Sequence, residues 1–194
     1  MPGSELTLLI VGRLNSAAVG RIADRFQAEA SSCRPTRVKI DLSCLNFVEP
    51  AGVTFLSNFV RWLNKREIAV VLAGCDTGRA AIGYLDDSGF FLQHSGARLR
   101  SGSRCRSTIM PLCGIESEQS HHWIRTQMIP WMMETLQRSQ SSLLPLQTSM
   151  SEIFNNIKDH STERIGSVYG QHFPNKHELC VCILMASRRP RPRL

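Results

Sequence analysis

The sequence has no apolar run long enough to cross a bilayer. Its longest, such as Ile68 to Ala73, fall far short of the ~20 residues that a helix needs to span the hydrocarbon. The amino terminus carries the acidic Glu5 and no basic stretch leading into an apolar one, so no secretory signal is expected. There is no Cys-x-x-Cys pair among the seven cysteines, at 33, 44, 75, 105, 113, 180 and 182. An odd, scattered set without an export signal reads as reduced thiols in a cytoplasmic protein. A glycine-rich phosphate loop, a serine-hydrolase elbow and an internal repeat are also missing. Aromatic residues make up only 7%, and none alternates with Lys and Arg as base-stacking surfaces require.

What is present suits a folded chain. At 194 residues, 42% hydrophobic and 20% charged, there is material for one domain or two small ones, and disorder or a coiled-coil rod is excluded. The formal charge of +7 is unevenly placed. Four arginines (Arg98, Arg100, Arg104, Arg106) lie in one Ser/Gly-rich stretch and four more (Arg188, Arg189, Arg191, Arg193) near the carboxyl end. Without them the remainder is close to neutral, so the basicity reads as a linker and a tail, and nucleic acid is not the expected partner.

Strand and helix periods alternate from residue 6 to about 90. Leu6 to Val11 suits a strand, and Asn15 or Ser16 can cap a helix with a stripe of Val19, Ile22, Ala23, Phe26 and Ala30. From Arg37 to Leu42 alternation predicts a strand with Val38, Ile40 and Leu42 inward. A helix follows over 52–65, then an apolar strand (68–73) expected to be covered on both faces, then a weaker helix over 77–87 closed by Ser88-Gly89. This order predicts an α/β unit with crossover helices. Periodicity fails over 93–114, which reads as a linker. Helical character returns over 120–138, with Pro130 expected to kink or split it. A second helix ends near His160, and 165–184 reads as two strands about Pro174-Asn175-Lys176. Trp123 and Trp131, eight apart, are expected as core anchors. His121-His122 lacks a third ligand, and Cys180 and Cys182 read as one face of a strand rather than a metal site.

The passage from Asp41 to Gly52, with Glu49-Pro50-Ala51-Gly52 opening the helix, resembles the STAS family of anti-sigma-factor antagonists and transporter tails. Gly12-Arg13-Leu14-Asn15 and Asp87-Ser88-Gly89-Phe90 extend the resemblance over residues 5–92. In partner-switching members this helix opens with Asp-Ser-Ser-Gly, and the second serine is phosphorylated. Ala51 stands at that position and has no hydroxyl to modify. The resemblance therefore implies a docking surface around Glu49, Ala51, Thr54 and Asn58 for a regulatory protein partner. The alternative is that Glu49-Pro50 only caps and starts a helix.

On the later helix, Glu152, Asn155, Asn156, Asp159 and His160 share one face, opposite Leu146, Met150, Ile153, Phe154 and Ile157. Ser149 with Glu152 also reads as a capping box. The spacing Glu152-x-x-x-Asn156-x-x-x-His160 resembles the N-box of histidine-kinase-like (Bergerat) ATPases of the anti-sigma-factor kinase type, over residues 115–184. That resemblance implies Asn156 as a Mg²⁺ ligand beside ATP, Glu152 as the residue orienting the attacking group, and His160 near the cofactor. An Asp-x-Gly-x-Gly turn for the adenine should follow the strands, but Leu184 runs into Met-Ala-Ser-Arg-Arg-Pro-Arg-Pro-Arg-Leu. The expectation is an α/β STAS-like domain (5–92), a linker (93–114), an incomplete α+β ATPase segment (115–184) and a basic Arg/Pro tail (185–194), a truncated or frame-shifted version of a longer protein. No cofactor is expected for this chain, with Mg-ATP only in the alternative reading as a serine kinase. An uncovered sheet edge would favour self-association.

Overall fold

The structure is a computed structural model and describes residues 4–160 and 165–184, without the side chains of Lys158, His160 and Ile165. It is a mixed α/β protein of two compact units, the boundary falling between Arg106 and Ser107.

The N-terminal unit opens with strand β1 (Glu5–Leu14), helix α1 (Ser16–Cys33), strand β2 (Arg37–Val48), helix α2 (Pro50–Asn64) and strand β3 (Ala69–Ala73). The three strands are parallel in the order β1-β2-β3, with Leu8 beside Ile40 and Ile40 beside Leu72. Alternation decides which side is dry. Leu6, Leu8, Ile10, Val38, Ile40 and Leu42 are buried, while Leu9 and Val11 project to the other face. Asn15 starts α1, its Oδ1 accepting from the Ala18 N–H at 3.0 Å. Phe26 of α1 meets Phe59 and Trp62 of α2 edge-on, which joins the two helices. β3 departs from expectation. As the outer strand of this sheet it is not covered on both faces, and Val71 is exposed.

Helices α3 (Ala80–Ser88) and α4 (Phe90–Ser95) complete the unit, separated by Gly89 at φ +90°, a conformation suited to glycine. The stretch read as a linker over 93–114 is not one. Its first residues finish α4, and Arg98 to Arg106 are fastened to α3. The wholly buried Asp86 accepts from the N–H groups of Leu99 (2.9 Å) and Arg100 (3.1 Å) and pairs with the Arg100 guanidinium at 3.3 Å. Asp87 pairs with Arg100 at 2.6 Å and Arg106 at 2.8 Å. Burial alone would raise the Asp86 pKa, but bonds from Leu99, Ser103 and Arg100 outweigh it and hold the carboxyl below its ordinary value. Three of the four arginines of this stretch are therefore structural, with Arg98 donating to the Asp86 carbonyl at 2.7 Å.

The C-terminal unit is α+β. Strands β4 (Ile109–Glu116), β5 (Ile165–Phe173) and β6 (Glu178–Leu184) form an antiparallel sheet in that order. β4 lies inside the stretch read as a linker. Pro111, Gly114 and a register shift between Met110 and Cys113 break the alternation that would have announced it. Helices α5 (Ser120–Trp123), α6 (Ile129–Leu136) and α7 (Gln140–His160) pack on it. Between α5 and α6, Ile124–Met128 is π-helical, the Ile129 N–H reaching back to the Ile124 carbonyl. Pro130 explains the break, since it has no N–H to continue the α-helical ladder. The core is methionine-rich, with Met110, Met128, Met132 and Met150 around Ile124, Phe154 and Val168, and Trp123 and Trp131 pack partly buried against it. Pro145 lies within α7. Ser149 is thus a mid-helix residue donating to the Pro145 carbonyl at 3.1 Å, and the expected capping box with Glu152 does not form.

Candidate functional site

The start of α2 is built by close approach. Glu49 is the extended residue before the helix, and Pro50 occupies the first turn, where a missing N–H costs nothing. The Glu49 N–H donates to the Leu14 carbonyl at 3.0 Å, tying the helix entry to the end of β1. Gly52 allows this contact. A Cβ there would lie 2.6 Å from the Leu14 carbonyl oxygen and 2.7 Å from its Cγ. Glu49 Oε1 accepts from Arg13 Nε at 2.6 Å, and the Arg13 guanidinium sits 4.6 Å from the Phe47 ring centre. Phe47 is 44% exposed and Val11 66%. The result is exposed apolar surface and a paired charge beside the first turn of a helix, whose Gly52 and Val53 N–H groups already donate to the Glu49 carbonyl at 2.8 and 3.1 Å.

The four residues proposed for docking fare differently. Glu49 and Ala51 stand at the helix start, neither of them buried. Asn58 is half-buried two turns on. Thr54 contributes no surface and is a correction. It is 1% exposed and its hydroxyl is spent on the Pro50 and Ala51 carbonyls, each at 3.1 Å. Arg13 and Phe47 were missed. The signal for Phe47 was available, because an aromatic residue at an outward position of a strand is unusual enough to question.

Deeper in α2, Ser57 is buried and lies 2.9 Å from His94 Nε2 of α4. Burial, with the Arg61 guanidinium second, pushes the His94 pKa down to about 4. The imidazole is therefore neutral at pH 7 and serves as a packing and hydrogen-bonding partner.

On α7, Glu152, Asn155, Asn156 and Asp159 are all exposed. Asn155 Oδ1 lies 3.3 Å from His121 Nε2 of α5. The side chain of His160 lies outside the described residues, as does the Arg/Pro tail. The opposite stripe holds Met150 and Phe154 in the core, while Ile153 is 42% exposed. Among the described residues no group of three or more His, Cys, Asp or Glu side chains is placed to hold a metal ion. Glu152 and Asn156 share a helix face, and among the described residues no His, Cys, Asp or Glu from another element completes a metal-binding set with them.

An open parallel sheet with crossover helices, and a helix whose first turn abuts the end of the first strand, define an α/β unit. The STAS domain family model matches residues 2–92. No curated protein and no solved structure matches the chain. The matched residues end before the C-terminal unit begins. Among the described residues no helix is long and apolar enough to cross a membrane.

Proposed function

We propose that the chain is a regulatory protein of a signal-transduction system, in the manner of anti-sigma-factor antagonists. It acts by protein–protein recognition at the start of α2, in a reducing, cytoplasmic setting. The observation that carries this reading is Ala51 at the helix start, beside Phe47 and the Arg13–Glu49 pair. A helix N-terminus favours an added phosphate, but a methyl side chain cannot receive one. The surface is therefore always in its unmodified state. A photo-crosslinking residue at position 51, introduced in source cells, should give a discrete adduct with another protein that is absent when the probe stands at Lys65. Adducts at both positions, or at neither, would sink the reading.

As part of the same proposal, the C-terminal unit is an incomplete segment of the histidine-kinase-like ATPase type without nucleotide turnover. Its support is the order of elements: a broken helix, a long helix carrying Glu152 and Asn156, then an antiparallel strand pair. Mg²⁺-dependent ATP hydrolysis by the purified chain, abolished by Glu152→Ala, would overturn this part.

A further inference from the structure

Strand β6 divides its side chains by alternation. Leu179, Val181 and Ile183 pack against the methionine-rich core, so Cys180 and Cys182 lie on the other face of the sheet, beside Gln171 and Tyr169 of β5. Both cysteines are partly exposed, and no disulfide joins them. Their spacing alone reads as packing, but the sulfurs say more. Alternate residues of a strand stand about 6.6 Å apart, whereas the two Sγ atoms are 3.9 Å apart and so lean toward one another. Cys113 does not join them. Its register partner is Val168, itself opposite Ile183, which puts it on the core face. Among the described residues no third His, Cys, Asp or Glu completes a set with the pair.

A thiol pair of this kind can close a disulfide or share an ion, and the geometry separates the two. A disulfide needs the sulfurs at ~2.05 Å and the Cβ atoms at about 4 Å. β6 is paired with β5 in unbroken register from Glu178 to Leu184, and that ladder resists the pinch that a bridge between alternate residues requires. A shared ion needs no such movement. With thiolate bonds of about 2.3 Å, sulfurs 3.9 Å apart meet an ion at roughly 116°, near the ~120° of three-coordination. Two thiolates without a third protein donor leave Zn²⁺ short of its four ligands, and Mg²⁺ and Ca²⁺ seek oxygen. Cu⁺ is soft and is satisfied by two or three sulfurs.

We propose that Cys180 and Cys182 form a two-thiolate site for Cu⁺, with a small-molecule thiol such as glutathione in the third position. Each thiol that binds releases its proton to solvent, and the metal stays in its +1 state, so no electron moves. This site does not depend on the α2 surface.

The test uses the full chain, reduced and under argon, with Cu⁺ supplied as its complex with a chromogenic chelator in the presence of glutathione. The chain should withdraw one Cu⁺ from the chelator. Cys180→Ser or Cys182→Ser should weaken that binding at least about a hundredfold, because either change removes the chelate, while Cys33→Ser should leave it unchanged. In the unaltered chain, one equivalent of Cu⁺ should shield Cys180 and Cys182 from iodoacetamide before the exposed Cys33 and Cys44, a result that needs no variant to fold. Binding indifferent to both serine substitutions, shielding of other cysteines first, or Zn²⁺ held as tightly as Cu⁺ would overturn the proposal. A Cys180–Cys182 disulfide forming in oxidised glutathione while Cu⁺ stays unbound would make the pair a redox couple and overturn it as well.

Discussion

Helices α2 and α7 carry the two candidate sites, and they are held in opposite ways. α2 buries most of its length, including Val53, Phe55, Leu56, Val60 and Leu63, and even its polar Thr54 and Ser57 face inward. α7, though longer, buries Leu143, Met150 and Phe154 along one stripe and leaves its polar face in water. A side chain at the start of α2 is thus positioned by packing from several directions. One on the outer face of α7 is positioned only by its own helix. Binding geometry can be inherited from the first arrangement, whereas the second needs a further element to become a pocket.

That contrast can be broken at several points. The largest effect should come from the dry stripe of α7. Phe154→Ala removes a 1%-exposed ring packed against Trp123 and should cost roughly 3–4 kcal/mol, read as faster amide exchange in the C-terminal unit. Next is the entry of α2. Gly52→Ala drives a methyl group into the Leu14 backbone and should cost about 2 kcal/mol, measured by urea unfolding of the N-terminal unit.

A smaller effect concerns His94 under α2. Its folded pKa lies near 4, below the ordinary 6.5, so the unfolded chain binds more protons between these values. The neutral ring's contribution is present above pH 6.5 and is lost as the pH falls toward 4, by roughly 1–2 kcal/mol after allowance for its partial exposure. His94→Gln should flatten that slope in denaturation curves. The smallest effect is expected on the wet face of α7, where Glu152→Ala and Asn156→Ala should each stay within ~0.5 kcal/mol of the parent. A loss several times larger would show that this face is covered after all and would bring α7 closer to α2 in kind.

Much of this architecture was legible because it is local. The alternation at Val38, Ile40 and Leu42, the Asn15 cap and the break near Pro130 are written in neighbouring residues. The exposure of β3 was not legible, because strand order decides which apolar run lies at an edge. Nor was the role of Arg98, Arg100 and Arg106. A Ser/Gly/Arg stretch looks solvated until its partners, Asp86 and Asp87 on a preceding helix, are placed beside it. For the candidate site, Ala51 and Glu49 could be read from position alone. Thr54 could not, since an i−4 or i−3 carbonyl bond competes for its hydroxyl only once the helix is packed. Arg13 needed the parallel register that sets it beside Phe47.

The wide turn at Ile124–Met128 has a consequence for how this chain tolerates changes in length. A single π turn accommodates one surplus residue without disturbing the helices on either side. Removing Arg125, an exposed residue there, would let α5 run straight into α6 as one α-helix, with Trp123 and Met132 keeping their relative facing. The aromatic anchor would stay beside Phe154, so a deletion that tidies the backbone should leave the core it serves in place.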